Sequence, residues 1–137
     1  MPISPTYIKV ITIPASAIDE NGHVNNVVFV QWMQDIAVEH YASIGGIEAQ
    51  GPDSTWVVRK HSVEYFLQAF EGEEIEIRTW VENLRKVRSL RIYEFARKSD
   101  GKIIVKGETD WVFMDMKTGR PKAIPVEVER VFERRDT

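Results

Sequence analysis

The chain carries two hydrophobic rhythms, and they divide it early. Tyr7 to Ile13 alternates weakly and is rich in β-branched residues, which predicts a first strand closed by Pro14. From Val27 the period changes. Phe29, Met33, Ile36, Ala37, His40, Tyr41 and Ile44 recur at helical spacing, with Gly45-Gly46 as the stop. Val28, Val30, Trp32 and Val38 widen the apolar surface beyond one stripe, so this helix is expected to be enclosed. After Pro52 the pattern reads as sheet. Trp56 to Phe66 is rich in β-formers, and Ile75, Ile77, Thr79 and Val81 alternate with Glu76, Arg78 and Trp80. Leu90 to Lys98 and Lys102 to Asp115 flank Ser99-Asp100-Gly101, a hairpin signal. Pro125 to Arg134 suits a short terminal helix with Val128, Val131 and Phe132 on one side.

One strand, one long helix and a run of antiparallel strands predict an α+β single domain over residues 1–137. A lone sheet must cover a face and manage its edges, and pairing between subunits does the latter. Composition narrows the function. Cysteine is absent, which removes disulfides, thiolate metal sites and cysteine nucleophiles. A net charge of −3 gives no global attraction to nucleic acid or to an acidic membrane. No apolar run reaches the roughly 20 residues that span a bilayer. Met-Pro-Ile-Ser-Pro lacks a basic start and an apolar core, so no secretory leader is expected and a cytoplasmic location is the default.

The chemistry is concentrated just before the helix. Asp19, Asn21, Gly22, His23, Asn25 and Asn26 put a carboxylate, amides, an imidazole and a glycine within eight residues. A fixed, partly desolvated carboxylate acts as general base or as nucleophile. Asp19 precedes a helix start, whose N–H groups and dipole favour negative charge and stabilise an oxyanion. Backbone at Gly22 to Val24 is the candidate oxyanion site, and Asn25 or Asn26 the helix cap. The competing reading makes all these Asx residues turn and cap formers only. No Gly-x-Ser-x-Gly elbow or nucleotide-binding loop occurs, and no pair of histidines has metal-ligand spacing, so no metal is expected. His40 and His61 read as structural, and Asp110 as facing solvent on the strand side of Ile104, Lys106 and Glu108.

The run Asp19-x-Asn21-Gly22-His23-Val24-Asn25-Asn26-x-x-Phe29-x-x-Trp32 resembles the signature of hotdog-fold acyl thioesterases. It is similar to the hydroxybenzoyl-CoA thioesterase-like group, and to the Asp-x-Asn-x-His-Val-Asn-Asn run of plant acyl-ACP thioesterases. Segments Glu64 to Glu73 and Val112 to Pro125 resemble further strands and turns of the family. The resemblance implies an antiparallel sheet wrapped around one long buried helix. It implies a hydrolase cleaving an acyl thioester to acid and thiol, with Asp19 catalytic and Asn21 and His23 as the other polar site positions. Plant acyl-ACP enzymes carry two such units in tandem and this chain has one, which favours CoA as carrier and implies a homodimer, or a homotetramer built from dimers. Acyl carrier protein stays open as the alternative. No cofactor is implied beyond CoA as part of the substrate.

Three further assignments follow. Arg85, Arg88 and Ser89 lie between predicted strands, where guanidinium groups can meet CoA phosphates. Phe29, Trp32 and Trp56 are the candidates for an acyl pocket, while the tryptophans as a set read more readily as core or subunit interface. Two rival functions are a binder of acyl thioesters without turnover, and a hotdog hydratase or dehydratase.

Overall fold

Alternation from Glu74 to Val81, within the strand Glu74–Arg85, buries Ile75, Ile77, Thr79 and Val81 and turns Glu76, Arg78 and Trp80 to the other face. This strand (β3) and its neighbours β1 (Tyr7–Thr12), β4 (Arg88–Arg97), β5 (Ile103–Asp115) and β2 (Ser54–Tyr65) form one five-stranded sheet, ordered β1-β3-β4-β5-β2. Every pairing is antiparallel. The structure, a computed structural model, describes residues 2–133.

Helix α1 (Asn26–Ser43) lies on the inner face of the sheet and buries Phe29, Met33, Ile36, Ala37 and His40. It approaches closely at Gly107 of β5, where a Cβ would stand 2.8 Å from Met33 Sδ. The core is in two parts. One surrounds Phe29, Met33, Ile77, Tyr93 and Phe95; the other joins Val81 and Phe113 to Val128 and Phe132. The latter two come from the terminal helix α3 (Val126–Glu133), with Val131 half-buried beside them. Arg134, expected in this helix, lies outside the described residues.

Several expectations need correction. Enclosure of α1 is incomplete within one chain: Val27 is 72% and Val38 58% exposed, on the side away from the sheet. Gly45-Gly46 ends α1 as expected, but Gly45 (φ +86°) then redirects the chain into a short second helix, α2 (Gly46–Gln50), that was not expected. Gly46 is required there, since any Cβ would strike the Tyr41 ring. Residues 85–89, read as a loop, are mostly strand. Arg85 pairs with Arg88, leaving Lys86-Val87 as a two-residue turn with Lys86 at φ +52°. The Ser99-Asp100-Gly101 hairpin is present, with Arg97 Nη1 donating to Asp100 Oδ2 at 3.0 Å.

Candidate active site

Residues 19–23 form a closed loop at the N-terminal end of α1. Ile18 and Val24 pair as an isolated antiparallel bridge, and the Asp19 N–H donates to the His23 carbonyl at 3.0 Å. Gly22 (φ +84°) makes the reversal that a side chain would resist. Within the loop the Asn21 N–H donates to Asp19 Oδ1 at 2.9 Å, an Asx turn that fixes the carboxylate and leaves its second oxygen uncommitted among the described residues. The loop is held to its surroundings by Val24 N–H to Ala69 O (2.9 Å) and Asn25 N–H to Ala17 O (3.0 Å). Asn25, not Asn26, caps the helix, its Oδ1 accepting the Val27 N–H at 3.0 Å.

The expected oxyanion donors change as a result. The Gly22 N–H donates to Asp19 O at 3.0 Å and the Val24 N–H is taken by Ala69, so neither is available in this conformation. Among the described residues no group accepts the N–H of His23 or of Asn26, the first residue of α1. His23 Nδ1–H donates to its neighbour's carbonyl, Val24 O, at 3.2 Å, which leaves Nε2 as the ring atom able to meet a ligand. Asn21 is exposed and meets Asp19 through its backbone, not its amide.

A cavity of about 330 Å³ opens beside this loop, lined by His23, Val24, Asn26, Phe29 and residues 65–69. Phe29 forms its floor, edge-on to Phe95 (5.3 Å), Tyr65 (5.9 Å) and Trp32 (5.5 Å). Tyr65 Oη donates to Asn26 O at 3.0 Å and ties β2 to the helix start. Trp32 thus supports Phe29 from behind. Trp56 does not join them. It packs on Phe113 (5.0 Å) and near Tyr41 (6.4 Å), and Tyr41 lies about 22 Å along α1 from Asn26 at 1.5 Å per residue.

The arginine group is also split. Strand alternation turns Arg88 outward and Ser89 inward, so Ser89 is buried and cannot share a surface site with Arg88. Arg88 instead makes two hydrogen bonds to Asp110, and Arg59 Nη1 adds a third at 2.8 Å. The solvent position expected of Asp110 needs correction. The residue points to the outer face as read, yet its side chain is only 13% exposed under the two guanidinium groups. The Arg88 hydrogen bonds hold its carboxyl below the usual range, with Arg59 reinforcing them. Two cations on one carboxylate leave a positive charge at the surface. Arg85 stands exposed on the hairpin beyond them.

Sequence reasoning missed Arg91. It is buried on the inner face of β4 at 3% exposure, and its Nη1 donates to His40 Nδ1 (2.9 Å) and Thr79 Oγ1 (3.1 Å). The signal was present, because alternation puts residue 91 on the same face as Tyr93 and Phe95. His40 also stacks on Tyr7, with ring centroids 5.0 Å apart. Burial, and then the Arg91 charge, pushes the His40 imidazole down to about 3, so it is neutral and accepts. His61 Nδ1 lies 2.8 Å from Thr109 Oγ1.

Comparison with known proteins places this geometry. A model of the thioesterase-like superfamily matches residues 13–132. The chain belongs to that superfamily. It is 29% identical over 110 residues to a chloroplastic palmitoyl-acyl carrier protein thioesterase of Cuphea hookeriana, covering 74% of this chain and 26% of that protein. A chloroplastic acyl-[acyl-carrier-protein] hydrolase of Cuphea viscosissima is 32% identical over 81 residues, 59% of this chain and 20% of that protein. The chain therefore spans about a quarter or less of the curated relatives it matches. Among solved structures, a 1,4-dihydroxy-2-naphthoyl-CoA thioesterase from Synechocystis superposes with a TM-score of 0.83 at 15% identity, covering 93% of this chain and 96% of that one. A 12:0-ACP thioesterase from Umbellularia californica gives 0.82 at 20% identity, covering 91% and 48%. At such identities these structures establish the fold alone, and the fold of this superfamily member is the hotdog. Among the described residues no helix is long and apolar enough to cross a membrane.

Proposed function

We propose that the chain hydrolyses an acyl thioester, with CoA as carrier and Asp19 as the catalytic carboxylate. The observation that carries this reading is the fixed Asp19 carboxylate on a glycine-turned loop at the start of α1, beside a cavity floored by Phe29. Membership of the thioesterase-like superfamily supports it. In the proposed reaction the thioester carbonyl sits against the free N–H groups of Asn26 and His23, with the acyl group toward Phe29. The uncommitted Asp19 oxygen takes a proton from water as the water attacks the carbonyl carbon. In the other form of the reaction, that oxygen attacks the carbon itself and gives a mixed anhydride that water then opens. Collapse of either tetrahedral adduct breaks the C–S bond, and the thiolate leaves to be protonated. Electrostatic stabilisation and positioning suffice for so activated an ester, without a serine nucleophile. Asn21 shapes the Asp19 loop, and His23 Nε2 is placed to contact the substrate.

The Arg88–Asp110–Arg59 cluster, with Arg85, supplies positive charge for CoA phosphates. Replacing Asp19 by Asn keeps the shape of the loop and removes the base. Thiol release from the best acyl-CoA should fall by about 10²–10⁴-fold, the range for a lost general base. Release at the wild-type rate by folded D19N would remove Asp19 from the mechanism. Running the same assay with acyl-CoA and acyl-carrier-protein substrates separates the two carriers.

The proposal extends to a homodimer, alone or as half of a tetramer. Strand β2 is an uncovered edge twelve residues long, with Val57 and Tyr65 exposed, and α1 presents Val27 and Val38 nearby. Light scattering should give at least twice the chain mass. A monomer with full activity would contradict it.

A further inference from the structure

The arginines on the strands differ in a telling way. Arg59, Arg78, Arg88 and Arg97 are all at least partly exposed and each is paired with a carboxylate, while Arg85, with no carboxylate partner among the described residues, stands exposed to water on the hairpin. Arg91 is the most buried of them, and no carboxylate among the described residues reaches it. Among the described residues its hydrogen-bond partners are a neutral imidazole and a hydroxyl. Burial lowers its pKa to about 10, which still leaves it charged at neutral pH. An uncompensated buried ion costs several kcal/mol, so a fold that keeps one has a use for it.

Arg91 is on the wall of a cavity of about 180 Å³ between the C-terminal half of α1, helix α2 and strands β2, β4 and β5. Nη1 is occupied by His40 and Thr79, while Nε and Nη2 make no bond among the described residues. Around it stand Ser89, Gln50 and Thr55, and the opposing walls are apolar, from Ala37 and Val38 to Trp56, Trp111 and Phe132. The indole N–H groups of Trp56 and Trp111 are buried, and each lies near a tyrosine hydroxyl without reaching hydrogen-bond geometry.

A bare inorganic anion suits such walls badly, since it would turn unsolvated oxygens toward carbon. A carboxylate on an apolar body satisfies both halves: the guanidinium fork takes the two oxygens, and the body meets the aromatic rings. Size agrees, because a dry protein cavity of about 150 Å³ accepts benzene. We propose that this cavity is a second ligand site, holding the carboxylate of a small organic acid on Arg91 with its apolar body between Trp56 and Trp111. The site lies at the opposite end of α1 from Asp19 and stands whether or not Asp19 is catalytic.

Two tryptophans line the cavity, so intrinsic fluorescence reports its occupancy. Titration of the full chain with benzoate at pH 7 should give a saturable change. Benzamide, of the same shape without the charge, should bind at least about tenfold more weakly, because the charge-assisted pair is lost. Arg91→Met should weaken benzoate by a similar factor while circular dichroism stays native. Ile47→Phe, at an exposed position of α2 on the cavity rim, should also weaken benzoate and covers the case in which Arg91→Met fails to fold. Equal binding of benzoate and benzamide, wild-type affinity in either folded variant, or no saturable change with millimolar benzoate would each overturn the proposal.

Discussion

The two ends of α1 are built by different rules. At its N-terminal end the groups that matter lie within eight residues, and short bonds between near neighbours hold them: Asn21 to Asp19, Gly22 to Asp19, Val27 to Asn25. At its C-terminal end, His40, Arg91 and Thr79 come from one helix and two strands, separated by 51 and 12 residues along the chain. The first end is a motif; the second is a product of the sheet. A local site can be perturbed without much loss of fold, whereas a site made by packing is coupled to the stability of everything around it. Two measurements bear on that difference.

The larger effect belongs to the C-terminal end. His40 is buried and neutral, with its pKa pushed down to about 3 from 6.5 by burial and by Arg91, against Tyr7 on its other face. In the unfolded chain the imidazole binds a proton as pH falls below about 6.5, but the folded chain does not until pH approaches 3. Stability is therefore at its full value above 6.5 and is lost progressively between there and 3. Linkage for one such group makes the loss from pH 7 to 5 about 2 kcal/mol. Urea unfolding at the two pH values should show it, and His40→Asn, which offers an acceptor without a titrating ring, should remove it. His61 is also held below its usual range by burial and contributes to the slope, so the difference between wild type and variant isolates His40. Equal pH dependence in both proteins would mean that the histidine is protonated in place and that the buried network tolerates a second charge.

The same contrast explains what could be read from residues alone. Alternation in β3 and helical spacing from Phe29 to Ile44 were legible because each reports one repeating contact with the core. Asp19, Gly22 and His23 stood out because their geometry is set by neighbours in sequence. The pairing of Arg88 with Asp110 was not legible, since it depends on the register that sets β4 beside β5. Trp56 packs with Phe113 and Tyr41 rather than with Phe29 and Trp32, and sequence is silent on this for a related reason. Hydrophobicity says that a tryptophan is buried, but not at which end of the sheet. Gly45-Gly46 reads as a helix stop on local grounds and α1 does end there, but that the Tyr41 ring leaves no room for a Cβ at Gly46 emerges only from the packing. The inward position of Arg91 is implied by alternation, yet its lack of a carboxylate partner among the described residues emerges only from the packed structure.

The smaller effect belongs to the N-terminal end. Asn25→Ala removes the acceptor for the Val27 N–H, and a lost cap of this kind costs about 1 kcal/mol. The Val24 and Asn25 backbone bonds to Ala69 and Ala17 do not involve the side chain, so the loop should stay tethered and the fold intact. The consequence for rate should be out of proportion to that cost. The first turn of α1 carries the free Asn26 N–H that the proposed reaction uses, and fraying it lets water take that donor and blurs its position against Asp19. Catalysis that rests on fixed donors loses about tenfold from a small displacement more readily than stability loses the next kilocalorie. Urea midpoints and thiol release measured on the same preparation give both numbers. A stability loss near 1 kcal/mol with an unchanged rate would show that the helix start does not aim the reaction, and would return Asn25 to an ordinary cap.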